Sequence, residues 1–315
     1  MTRTTKTGED PGDHDHDHGH HKHAPKDFGR AFAIGTALNI GFVVIEATYG
    51  VIANSMALLA DAGHNLSDVF GLLMAWGAAT LARKAPTSRF TYGLRSSSIL
   101  AALANAILLL IAVGAIAWEA IQRISHPEPV AGTTVMVVAG IGIIINGVTA
   151  SLFMSGRHDD LNIRGAYLHM AADAVVSSGV LAAGLVILLT GWHWIDPVVS
   201  LVIAGVIVWG TWALLRDSVN LALNAVPPSI DPDKVRVYLE GLGGVARIHD
   251  LHIWPMSTTE TALTCHLVMP GKHPGDAFLR HAADGLAHRF KIAHATLQIE
   301  HGDGEVCALE PDHVV

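Results

Sequence analysis

Charge is scarce in this chain. Only 15% of its 315 residues are Asp, Glu, Lys or Arg, against about 25% in soluble globular proteins, while half are hydrophobic. Cysteine is scarcer still: Cys265 and Cys307 are the whole supply, too few for a disulfide framework. Lys and Arg number 20 against 28 Asp and Glu, and no basic stripe is present, so a nucleic-acid partner is not expected. No HExxH string occurs, which removes the zinc protease with its general-base Glu. No GxxxxGK[ST] loop occurs either, so an ATP-driven pump has no phosphate cradle. Nothing in the chain points to an enzyme. Residues 1–27 lack the apolar core of a signal peptide.

What is abundant is long apolar sequence. Six runs, near 31–53, 57–82, 98–121, 133–155, 165–190 and 196–220, each have about the 20 residues a helix needs to cross a bilayer. The hinge Ala53-Asn54-Ser55 is short enough to make the first two an antiparallel hairpin. The loop 83–97 carries Arg83, Lys84, Arg89 and Arg95, and the loop 156–164 carries Arg157 and Arg164. The connection 122–132 has only Arg123, and the Gly-Trp-His-Trp turn at 191–194 has neither Lys nor Arg. This alternation puts both termini in the cytoplasm.

After Pro227-Pro228 the composition becomes that of a small soluble domain. Asp231-Pro232 supplies an N-cap and a proline at N1 for a helix to about residue 242. Alternating segments near 245–254 and 261–269, a helix over 274–289 and a segment at 295–300 give the order αββαβ, with helices on one face of a small sheet. The expected division is a disordered cytoplasmic tail at 1–27, a six-helix transmembrane domain at 28–226, a cytoplasmic α+β domain at 227–303 and a flexible tail at 304–315. The first tail holds His14, His16, His18, His20, His21 and His23 among Asp13, Asp15 and Asp17, a composition suited to weak metal capture.

The chemistry concentrates in two apolar spans. His64 and Asp68 are spaced i, i+4, as are His169 and Asp173, so on helices each pair shares one face, about 5–6 Å apart at Cβ. An ionisable group in lipid is costly and marks function by default. Two imidazoles and two carboxylates facing each other supply the four ligands of tetrahedral zinc, and cadmium and cobalt fit the same donors. Asp61, one turn before His64, reads either as a group orienting His64 or as a helix-end residue near the outer surface. Glu46 is the other acid placed to line a polar path; Asn39, Asn105, Glu119 and Asn146 read as interhelical hydrogen-bonding groups.

The strings Leu58-Leu59-Ala60-Asp61-Ala62-Gly63-His64-Asn65-Leu66-Ser67-Asp68, Arg89-Phe90-Thr91-Tyr92-Gly93-Leu94-Arg95, His169-Met170-Ala171-Ala172-Asp173 and His249-Asp250-Leu251-His252-Ile253-Trp254 together resemble the cation diffusion facilitators, in particular their bacterial zinc-exporting branch. The resemblance covers about residues 28–303. It implies a homodimeric antiporter of the inner membrane that exports zinc from the cytoplasm against protons; the alternative is a passive divalent-metal channel. It assigns His64, Asp68, His169 and Asp173 to the transport site. It also implies a metallochaperone-like (ferredoxin-like) cytoplasmic domain that binds regulatory zinc near the dimer interface, at the positions of His249, His266, His281, His301 and Asp303. Cys265 and Cys307 are expected to be structural or incidental. Some members hold another metal in the loop between the second and third spans; here 83–97 offers no His, Asp, Glu or Cys.

Overall fold

The computed structural model describes residues 29–154, 161–302 and 307–310. The His-rich tail, Arg157 and Asp303 lie outside these residues. Six long helices come first: α1 (Gly29–Ile52), α2 (Met56–Ala82), α3 (Ser97–Ser125), α4 (Gly132–Phe153), α5 (Leu161–Thr190) and α6 (Ile195–Ala222). All but α2 are apolar enough over 18 or more residues to cross a membrane. α2 is just as long, at 27 residues. Asp61, His64, Asn65, Ser67 and Asp68 dilute its apolar character, so the exception coincides with the site. α3 continues past its apolar span to Ser125 and stops at His126-Pro127, where the proline disfavours a helical residue before it.

The bundle turns its apolar side chains outwards. Val44, Trp76, Ile111, Val175, Leu189 and Trp209 are exposed, as expected where lipid rather than water is the solvent. Its interior packs α4 on α5, α3 on α6, and α2 on α3. At the α4–α5 crossing, a Cβ on Gly132 would lie 2.9 Å from the Gly184 carbonyl; two glycines let these backbones approach, as small residues do in membrane interfaces.

One end of the bundle is fastened by Asp196, in the first turn of α6. Its carboxylate accepts hydrogen bonds from the Met56 amide at 2.6 Å and from Ser55 Oγ. It thereby caps the N-terminus of α2, where amides lack intrahelical partners and the helix dipole favours an anion. Ser55 Oγ also accepts from the Leu58 amide.

The C-terminal domain comprises α7 (Pro232–Glu240), β1 (Arg247–Pro255), β2 (Thr261–Val268), α8 (Asp276–Phe290) and β3 (Ile292–Glu300). β2 is central, antiparallel to β1 and parallel to β3. Leu239, Leu263, Leu267, Leu286 and Ile292 form its core between sheet and helices. The β1–β2 turn meets the bundle: Arg95 pairs with Glu260, Ser96 Oγ donates to the Met256 carbonyl, and the Thr258 amide donates to Ser98 Oγ.

Candidate metal centre

α2 and α5 bring His64, Asp68, His169 and Asp173 into one constellation. His64 Nε2 lies 3.7 Å from Asp68 Oδ2 along its own helix and 3.8 Å from Asp173 Oδ1 across to α5. His169 Nε2 lies 3.6 Å from Asp173 Oδ2 and 3.3 Å from Asp68 Oδ2. A tetrahedron with bonds of about 2.0–2.2 Å sets its ligand atoms about 3.3–3.6 Å apart. The four imidazole–carboxylate separations are near that spacing, and the two imidazoles and the two carboxylates must each draw closer for all four to hold one ion. The imidazoles meet edge to face, with centroids 6.1 Å apart. The site is open on one side: the Asp173 side chain is 2% exposed, that of His169 40%. Asp173 Oδ2 is buried and has no hydrogen-bond donor of good geometry among the described residues. Nitrogen and oxygen donors in this geometry suit zinc, and cadmium or cobalt by the same chemistry.

Among the polar residues around the tetrad, Asn39 of α1 donates to Met170 Sδ of α5, as read from sequence. Asp61 is buried, and it accepts a hydrogen bond from Ser177 Oγ at 3.1 Å. It is therefore neither at the surface nor hydrogen-bonded to His64. Glu46 is buried beside it and accepts from Asn65 Nδ2 at 3.3 Å. Glu119 pairs with Arg123 on its own helix, and Arg123 in turn donates to the Asn54 carbonyl at the α1–α2 hinge.

A second group of donors lies in the C-terminal domain. His249 and His266 face each other in the β1–β2 register, and Glu300 ends β3 beside them. Glu300 Oε2 is 2.9 Å from His249 Nε2, and Oε1 is 2.8 Å from His266 Nδ1. Cys307 Sγ stands 3.7 Å from His266 Nδ1. One ligand atom from each of the four lies within 4.8 Å of the others. Next to His249, β1 bulges at Asp250, whose φ of 52° is left-handed. The bulge re-aims the strand and brings Asp250 to 3.4 Å from His266 and 2.9 Å from His252.

Of the residues read from sequence, the structure brings His249 and His266 into this group and leaves His281 and His301 apart from it. His281 is exposed on α8, and its carbonyl accepts a hydrogen bond from the Tyr238 hydroxyl; its side chain does not join the group. His301 is also exposed, just past β3, because alternation sends Glu300 and its successor to opposite faces. Glu300 was legible in principle, since it lies two residues from Gln298, the β3 partner of His266. Cys307, set aside from sequence, belongs to the group, while Cys265 is buried against the His249 and His266 carbonyls.

Desolvation is the largest influence on Glu300 and raises its pKa. The hydrogen bonds from His249 and Cys307 and the adjacent imidazoles together outweigh it, and the carboxyl sits below its ordinary range. Glu300 is thus ionised at neutral pH, as a metal ligand must be. Two imidazoles, a carboxylate and a thiol are a zinc donor set.

Comparison with known proteins accords with this architecture. The cation efflux transmembrane domain matches residues 32–221, and the cytoplasmic domain of cation efflux proteins matches residues 227–302. The chain is 36% identical over 285 residues to the cadmium, cobalt and zinc/H(+)-K(+) antiporter of Bacillus subtilis, covering 89% of this chain and 91% of that protein. It is 36% identical over 282 residues to the zinc transporter ZitB of Escherichia coli, with 89% and 90% covered. To the metal cation efflux system protein CzcD of Cupriavidus metallidurans it is 35% identical over 281 residues, 89% of each chain. With its bundle, its small C-terminal α+β fold and matches along nearly its whole length, the chain belongs to the cation efflux family, the cation diffusion facilitators.

Proposed function

We propose that this protein exports zinc, and also cadmium and cobalt, from the cytoplasm in exchange for protons. It does so as a homodimer in the bacterial inner membrane, with both termini cytoplasmic and the C-terminal domain at 227–303. The observation that carries this reading is the convergence of two imidazoles and two carboxylates from α2 and α5 at 3.3–3.8 Å. A dication is the substrate that such a group recognises within an apolar bundle.

The tetrad itself supplies the exchange. Zinc takes neutral imidazole and ionised carboxylate, so binding displaces protons. Protonation of His64 and His169 removes the lone pairs that hold the ion and expels it. Helices rocking around a fixed site then alternate its access between the two faces. In the C-terminal domain, His249, His266, Glu300 and Cys307 would hold a regulatory zinc, which would crosslink β1, β2 and the segment after β3. That link would stiffen the domain through which two chains associate, and the Arg95–Glu260 contact connects it to the bundle.

Reconstituted vesicles test the proposal. Zinc is expected to move against an opposing proton gradient, to reverse when the gradient is reversed and to saturate with concentration. Flux that is linear in zinc and indifferent to pH would instead indicate a passive channel.

A further inference from the structure

Three helices meet at a buried acidic pair that lies outside the tetrad. Glu46 of α1 and Asp61 of α2 are both fully buried, and their carboxyls are in hydrogen-bonding contact. Asn65 serves one oxygen of Glu46, and Ser177 of α5 serves one oxygen of Asp61. The remaining oxygens, Glu46 Oε1 and Asp61 Oδ1, are buried and have no donor among the described residues. Other charged or titratable groups facing the pair are Asp173 on α5 and His64 on α2; neither acid is bonded to a tetrad side chain. Asp61 lies one turn before His64, and Ser177 one turn after Asp173. Because α2 and α5 run antiparallel, both steps lead the same way, towards the α1–α2 hairpin.

Two carboxylates in contact in an apolar interior cannot both remain ionised without a positive charge between them. We propose that Glu46 and Asp61 form a proton-binding site, distinct from the tetrad, that shares one proton while the tetrad is empty and gives it up when the tetrad fills. The inference rests on the zinc–proton exchange proposed above. A dication one turn away favours the doubly ionised pair, so its arrival sends the shared proton to water; its departure lets the pair take one back. The site thus adds to the protons that the tetrad itself displaces.

The test counts protons released as full-length protein in weak buffer is titrated with zinc. Zinc bound in the cytoplasmic domain and the tail contributes equally to every variant and cancels in the comparison. Glu46→Gln and Asp61→Asn are each expected to bind as much zinc as the unaltered protein while releasing about one proton fewer per tetrad filled. Asp61→Glu, which retains the pair, is expected to restore the count. An unchanged proton count in either folded variant would overturn the inference. So would loss of one bound zinc, because the pair would then be a metal site. If neither neutral variant folds, infrared difference spectra of the unaltered protein decide: a protonated-carboxyl band must disappear on zinc addition, and its absence is contrary evidence. Failure of vesicle flux to respond to a pH gradient would remove the exchange itself; an unchanged count beside intact coupling would remove only the pair's role.

Discussion

Replacing Asp173 with alanine is expected to abolish zinc transport while leaving the protein folded. Asp173 is the most enclosed member of the tetrad and approaches both imidazoles, at 3.8 Å and 3.6 Å. Without it, the ion keeps two nitrogens and one carboxylate, and a dication faces a single negative charge in a low-dielectric interior. Losing a group that merely orients a ligand costs 10–100-fold in metal affinity, so losing a ligand should cost at least about 100-fold. Vesicle flux at micromolar zinc should fall to the level of protein-free vesicles. The protein should still elute as one species, because alanine leaves no charge stranded in the bundle. Zinc normally stabilises a binding protein by about 2.7 kcal/mol at a hundred times its Kd; the share of that melting shift due to the tetrad should vanish. Flux within a few-fold of the unaltered protein would mean that Asp173 is not a ligand.

The second large effect concerns the two thiols. Burial pushes the Cys265 thiol up to about 12, so it carries negligible thiolate and should resist alkylation with or without metal. At Cys307 the amide of Leu309 is the largest influence and lowers the pKa. Desolvation and Glu300 together outweigh it, and the thiol lies above its ordinary value. Cys307 is still partly exposed, so it should alkylate at mildly alkaline pH in the metal-free protein. Zinc deprotonates a coordinating thiol and occupies it. Label at Cys307 should therefore drop to background on zinc addition and return on chelation. His249→Ala should weaken that protection by removing a neighbouring ligand. Equal labelling with and without zinc would take Cys307 out of the metal group.

How far the sequence foretold these sites depends on how local each one is. The tetrad was legible because each half is a single i, i+4 pair on an apolar helix, and the repetition of HxxxD implied that the halves face each other. The αββαβ order was legible from the Asp231-Pro232 cap and from the alternation of the strand segments. The C-terminal group was only half legible. His249 and His266 sit on adjacent strands, but the choice of Glu300 over His301 depends on the β3 register, and Cys307 arrives through a segment without periodicity. The bulge at Asp250 gave no composition signal at all. The capping of α2 by Asp196 joins residues 140 positions apart, and only the packing of α6 against α2 reveals it. The Glu46–Asp61 pair was hidden for the same reason: each acid alone reads as an isolated polar residue in an apolar span.

Anomalous scattering at the zinc edge from the loaded full-length protein tests the central claim most directly. A peak is expected between α2 and α5 in each protomer, about 2.0–2.2 Å from His64, Asp68, His169 and Asp173 alike. A peak elsewhere in the bundle, or one that leaves any of these four side chains out of bonding range, would contradict a shared dication site.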